Sequence, residues 1–120
     1  MAKRVLVVED NELNLKLFCD LLRAHGHEVL PLRDGRDLLA QARAFLPDLV
    51  ITDIYLPHVS GIDIIISLRR DETLSSVPVM AVTAYAGKGD EEQIRAAGAQ
   101  AYVSKPISVM RFMEQVNALL

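Results

Sequence analysis

Three apolar runs, at 5–8, 49–52 and 77–83, carry almost no polar side chain at alternate positions. A strand with one wet face alternates apolar and polar residues, whereas a strand covered on both faces does not. These runs are rich in valine and isoleucine and therefore read as central parallel strands sandwiched between helices. Two weaker segments, 28–30 and 101–104, read as the edges of the same sheet.

The intervening segments have helical spacing. Asn11 is placed to cap the first, in which Leu13, Leu17 and Leu21 recur every fourth residue beside Phe18 and Leu22, and Gly26 stops it. A second helix is expected over 35–45 with Leu38, Leu39, Ala42 and Phe45 inward, and a third over 60–70. The fourth, near 90–97, is alanine-rich and offers Ile94 as its one large apolar residue. The fifth runs from 108 to the end, with Met110, Met113, Val116 and Leu120 on one face and the two methionines as core filler. Strands alternating with helices at this pitch give an open parallel sheet with helices on both faces. Right-handed crossovers then leave a flavodoxin-like α/β sandwich of strand order 2-1-3-4-5 as the expected fold, one domain over 1–120.

A net charge of −3 with no basic cluster gives no basis for binding nucleic acid. Cys19 is the single cysteine, so a disulfide framework is excluded and a reducing cytoplasm is the expected setting. The short apolar start runs into Glu9 and Asp10 and is neither a signal peptide nor a membrane span. A monomer is expected.

In such a sheet ligands bind beyond the carboxyl ends of the strands. Glu9 and Asp10 end the first run, Asp53 the third, Thr83 the fourth, and Lys105 follows the fifth. Three carboxylates gathered there call for a cation, and Mg²⁺ suits one or two carboxylates with oxygen ligands making up the rest. Asp53 is too far from the helix that starts after Ser60 to cap it, and a strand-end carboxylate is a competent nucleophile toward phosphorus. Acids after the first strand and the lack of a glycine-rich loop there disfavour a bound nucleotide. A strand-ending threonine and a lone lysine are each commonplace. Together beside Asp53, a hydroxyl and an ammonium can bind phosphoryl oxygens. Pro106 fixes the turn that aims Lys105, a cis bond being one way to do so. His25, His27 and His58 have no metal-ligand spacing, and His25 and His27 are expected to face solvent.

Over essentially its whole length the chain resembles the receiver domain of two-component response regulators. The resemblance is carried by Val-Val-Glu-Asp-Asn at 7–11, Asp53 with Leu56-Pro57 and Ser60-Gly61, Val82-Thr83-Ala84, and Lys105-Pro106. Segments 11–18, 88–92 and 104–109 are similar to single-domain receivers that control cell division and polarity. The resemblance implies that Asp53 is the phosphoacceptor, charged by a sensor histidine kinase. It implies that Asp10, Asp53 and the backbone carbonyl of Tyr55 hold Mg²⁺, with Glu9 acting through a metal-bound water. Thr83 and Lys105 would bind the phosphoryl oxygens, and Tyr102 would take the place of the aromatic switch residue that responds to Thr83. Leu13, Asn14 and Leu17 beside Pro106 and Ile107 form the expected partner-docking surface.

The phosphoryl group brings about −1.5 to −2 charges and three acceptor oxygens, which bias the loops carrying Thr83 and Lys105. The face of the fourth helix, fifth strand and fifth helix is the expected readout. Tyr55 and Tyr85, two residues beyond Asp53 and Thr83, are expected to slow hydrolysis of the phosphoaspartate. Alternatives are a relay intermediate that passes its phosphoryl group to a histidine phosphotransfer protein, or a receiver belonging to a larger regulator. An aspartyl-nucleophile phosphatase is disfavoured because Tyr55 stands where such enzymes carry a second aspartate.

Overall fold

The computed structural model describes residues 2–84 and 88–120, with Lys88 described by its backbone alone. Among these residues the order is β1 (Arg4–Val8), α1 (Glu12–Ala24), β2 (Glu28–Leu32), α2 (Leu38–Phe45), β3 (Leu49–Asp53), α3 (Gly61–Arg70), β4 (Val79–Thr83), α4 (Lys88–Ala97), β5 (Ala101–Ser104) and α5 (Val109–Leu119). The strands form one parallel sheet of order β2-β1-β3-β4-β5. The expected fold and topology are present, and the weak second and fifth strands are the edges.

Every residue of β3 and β4 is buried, which accounts for the unalternating apolar runs. Alternate side chains feed two separate cores. Val5, Val7, Leu49, Ile51, Met80 and Val82 pack under α1 and α5. Leu6, Val8, Val50, Val79 and Ala81 pack under α2, α3 and α4. Phe18 of α1 and Phe112 of α5 stack across the first core, with ring centroids 4.9 Å apart and planes inclined by 12°. Burying both rings there ties the two helices together.

Several boundaries and faces differ from expectation. The second helix starts at Leu38 rather than at residue 35. Residues 34–37 form a turn in which Asp34 Oδ1 accepts from Arg36 N at 3.0 Å. Gly35 lies tight against Ile64, where a Cβ would come within 2.7 Å of Ile64 Cδ1. β4 begins at Val79, because Pro78 has no N–H to give the ladder. Pro31, by contrast, is accommodated within β2 since that strand is an edge. The fourth helix starts two residues earlier, at Lys88, and Ile94 is its buried anchor.

Met110 is 73% exposed, so it is not core filler; Phe112 takes the inward position beside Met113 and Val116. Leu13 and Leu17 are exposed as well, leaving Phe18, Cys19 and Leu22 as the buried side of α1. The spacing of four was real, but the row it picked out lies at the margin of the packed face. His25 is exposed, whereas His27 is half-buried and its Nδ1 accepts from Lys3 N at 3.3 Å.

Arg69, on the last turn of α3, gathers three chain segments. Its Nη1 donates to Val77 O at 2.7 Å and Ser75 O at 3.2 Å, and its Nη2 to Gly98 O at 2.7 Å and Gln100 Oε1 at 2.8 Å. Gly98, at φ 123°, lies against this side chain, and a Cβ there would come within 2.8 Å of Arg69 Cγ and Nε.

The C-cap of α2 is Leu46, left-handed at φ 54° and 55% exposed. A γ-branched side chain gains little there and carries the left-handed penalty, which asparagine tolerates. Leu46→Asn is expected to raise stability by about 0.5–1 kcal/mol, read as a higher urea midpoint at unchanged slope.

Candidate functional site: an acidic pocket at the strand ends

The register aligns Val8 with Thr52, Asp53 with Val82, and Thr83 with Ser104, so the ends of β1, β3, β4 and β5 open into one place. The structure brings together Glu9, Asp10, Asp53, Thr83 and Lys105 at this rim. Carboxylate oxygens of Glu9, Asp10 and Asp53 lie within 4.8 Å of one another. Asp10 is exposed, while Glu9 and Asp53 are buried and Thr83 is fully enclosed.

Backbone geometry fixes these groups. Glu9 N donates to Leu32 O at 3.0 Å, extending the β1–β2 pairing past the strand. Asn11 N then donates to Glu9 Oε2 at 3.1 Å, and Asn11 Oδ1 caps α1 by accepting from Asn14 N at 3.0 Å. On β3, Thr52 Oγ1 donates to Asp53 O and Tyr55 N donates to Asp53 Oδ1 at 3.2 Å. Gly61 N donates to Ile54 O at 2.8 Å, drawing the start of α3 onto the strand end. A Cβ on Gly61 would lie 2.2 Å from Asp53 O, so only glycine permits that approach. Ser60 caps α3 by accepting from Asp63 N, as its position before the apolar spacing suggested.

Lys105 joins the strands to the acids. Its N donates to Thr83 O at 2.7 Å, continuing the β4–β5 pairing one residue beyond β5. Its Nζ donates to Asp53 Oδ2 at 2.7 Å and lies 2.7 Å from Glu9 Oε1 as an ion pair. The Lys105–Pro106 peptide is cis. Glu9 Oε1 is buried, and among the described residues its one polar neighbour in ion-pair range is this ammonium.

Burial pushes the Glu9 carboxyl up to about 7; Lys105 and the Asn11 N–H oppose this and the neighbouring Asp53 charge adds to it. For Lys105, burial works to lower the pKa, but its bonds to Asp53 and Glu9 outweigh it and the ammonium is held above its usual value. Burial thus prevails at Glu9, which shares one ammonium with Asp53, whereas at Lys105 the two carboxylates prevail over burial.

Tyr102 is half-buried on β5 and packs against the α2–α4 core. The Tyr55 ring is exposed, and Tyr85 lies outside the described residues. Leu17, Asn14, Pro106 and Ile107 line an open groove of about 560 Å³ that reaches Lys105, and Leu13 stands 80% exposed on the same helix as Leu17. Two contributors had no side-chain signature in the sequence. They are the Tyr55 N–H that orients Asp53 and the contact of Gly61 with the Asp53 carbonyl; the Gly directly after the Ser60 cap was the one available hint.

The sheet order, the acids after β1 and at the end of β3, and the lysine after β5 define a signalling receiver domain. A model of the response regulator receiver domain matches residues 5–117, and the chain belongs to that family. It is 53% identical over 120 residues to the polar-differentiation response regulator DivK of Brucella ovis, covering 100% of this chain and 98% of that protein. The Brucella anthropi protein of the same name is 52% identical over the same span. Among solved structures, the Vibrio cholerae chemotaxis protein CheY4 superposes with a TM-score of 0.94 over 100% of both chains at 23% identity, a likeness of fold. The receiver domain of sensor histidine kinase PA1611 from Pseudomonas aeruginosa PAO1, solved with magnesium coordinated in its active-site cleft, superposes with a TM-score of 0.90 at 28% identity, over 99% of this chain and 98% of that one. No helix among the described residues is long and apolar enough to cross a membrane.

Because the Glu9 carboxyl titrates near 7 when folded against an ordinary value of 4.5, its contribution to stability is fully present below about 4.5 and is lost as pH rises through about 7. In EDTA, the melting temperature of wild type is expected to fall between about pH 5 and pH 8 relative to Glu9→Gln, which lacks this titration. Parallel melting curves for the two proteins across that range would contradict the assignment.

Proposed function

We propose that this chain is a phosphorylation switch: Asp53 accepts a phosphoryl group from a sensor histidine kinase, and the protein acts through altered contacts with other proteins. The observation that carries the reading is the 2.7 Å contact of Lys105 Nζ with Asp53 Oδ2 inside a cluster of three carboxylates. In the transfer, an Asp53 oxygen bonds to phosphorus, the bond from phosphorus to the donor imidazole breaks, and the imidazole keeps the electron pair. Lys105 is already beside the accepting oxygen and turns toward the incoming phosphoryl oxygens, while Thr83 supplies a hydroxyl. Tyr55 N–H holds the other Asp53 oxygen so that the carboxylate does not rotate during attack.

Glu9, Asp10, Asp53 and the Tyr55 carbonyl are the residues to hold Mg²⁺. The donor set fits, since hard carboxylate oxygens lie close together. When bound, the ion supplies positive charge that offsets repulsion between the acids and the phosphoryl group. The groove over Lys105, with Leu13 and Leu17 exposed on α1, is the surface we assign to the kinase. The domain runs through 1–120, promotes its own phosphorylation and dephosphorylation and, given its 53% identity to DivK, serves cell division and polar differentiation. Tyr102 is the residue we assign to follow Thr83.

Addition of BeF₃⁻ or acetyl phosphate to the Mg²⁺-loaded protein is expected to shift amide resonances of residues 53–55, 83–84 and 104–105 in wild type, and none of them in Asp53→Asn. Equal responses in the two proteins would refute Asp53 as the acceptor.

A further inference from the structure

Behind Thr83, between the exit of β3 and α4, lies a cavity of about 210 Å³ that the phosphoacceptor chemistry does not use. Ile54, Leu56, Ile62 and Ile94 give it a mainly apolar lining beside Tyr55, Ser60 and Gln93, and the buried Thr83 lines it too. Asp90, on the first turn of α4, stands at its edge. Among the described residues the Asp90 side chain has neither a hydrogen bond nor an ion pair, and no basic residue lines the cavity. Glu91 and Glu92 follow on the same turn, of which Glu91 is paired with Arg95. The combination is an aliphatic hollow with a negative lip.

Size narrows the occupant. Sites for drug-sized ligands run from about 300 to 1,000 Å³, so this hollow is suited to one bulky side chain rather than a whole cofactor. Charge narrows it further, because an acidic residue entering beside Asp90 meets a carboxylate without a cationic partner among the described residues, whereas a basic one gains a partner. Apolar anchors flanked by charges matching the rim are how protein surfaces seat short segments.

We propose that this cavity seats a bulky apolar side chain flanked by lysine or arginine from a partner protein. Its occupancy is linked to the state of the aspartate site through their shared walls. Ile54 follows Asp53 directly, and its N donates to Val82 O at 3.2 Å. Thr83 faces the cavity and is bonded through its carbonyl to Lys105 N at 2.7 Å. A phosphoryl group that draws on Thr83 and Lys105 therefore moves a wall of the cavity, and a guest in the cavity constrains Thr83. Such coupling is reciprocal. The linkage rests on the phosphoacceptor reading, whereas the docking itself does not.

The test is an NMR titration of isotope-labelled full-length protein with the capped peptides Lys-Phe-Lys and Glu-Phe-Glu. The basic peptide is expected to shift the methyl signals of Ile54, Ile62 and Ile94 saturably, and the acidic one to leave them in place. Asp90→Asn, at a half-buried position on the first turn of α4, weakens the basic peptide about threefold with the amide spectrum otherwise folded, and Asp90→Glu restores it. Mg²⁺ with BeF₃⁻ then changes the affinity for the peptide, and the peptide changes the affinity for BeF₃⁻ by the same factor.

No saturable methyl shifts, equal binding of both peptides, or no effect of Asp90→Asn overturns the docking site. Docking that is unchanged while BeF₃⁻ shifts the Asp53 and Thr83 signals overturns the linkage. If BeF₃⁻ produces no Asp53-dependent shift at all, the phosphoacceptor reading fails and the linkage fails with it, while the peptide arms still decide the docking site.

Discussion

One ammonium between two buried carboxylates organises the functional end of this molecule. Lys105 is the only cation within ion-pair distance of Glu9 and Asp53 among the described residues, and both contacts are 2.7 Å. Buried like charges repel strongly where water cannot screen them. The arrangement is stable only because the lysine, the Tyr55 N–H and the Asn11 N–H each satisfy a carboxylate oxygen, and even so Glu9 is driven toward its neutral form. The charge balance therefore turns on whether Glu9 holds its proton, and any change of charge nearby shifts it. That condition makes the pocket responsive, and the sheet beneath it is what keeps the partners from separating.

The sheet was readable because its central strands are buried on both sides. Valine and isoleucine without alternation at 5–8 and 49–52 leave few other interpretations, and the acids that interrupt them mark where the strands emerge from the core. Helix faces were read less well. Leu13, Leu17 and Met110 fit a helical repeat, yet α1 and α5 settle according to the stacking of Phe18 on Phe112, a contact 94 residues apart in sequence that no local pattern encodes. The start of α2 was misplaced for a similar reason. Residues 34–37 have reasonable helical spacing, but Gly35 is held against Ile64 of another helix.

At the site, what could be read was the identity of the side chains and what could not was their backbone support. Glu9, Asp10, Asp53, Thr83 and Lys105 announce themselves by position after apolar runs. The hydrogen bond from Tyr55 N, the close approach of Gly61 and the continuation of the β4–β5 ladder through Lys105 N use groups that every residue, or no side chain, possesses. These supports decide how Asp53 is aimed. The joining of Lys105 to Thr83 through the main chain also means that the ammonium and the threonine hydroxyl belong to one mechanical piece.

The Arg69 clamp has a consequence for how motion would be distributed. By binding Val77, Ser75 and Gly98 carbonyls together it makes the end of α3, the approach to β4 and the exit of α4 a single rigid block. The opposite end of α4 adjoins the chain leaving Thr83 and has no such clamp among the described residues. A helix of ten residues is about 15 Å long. Held at one end, it converts a tilt of about 10° at Gly98 into a displacement of about 2–3 Å at its first turn. The guanidinium is thus a fulcrum, and the acidic first turn of α4 is the tip of the beam.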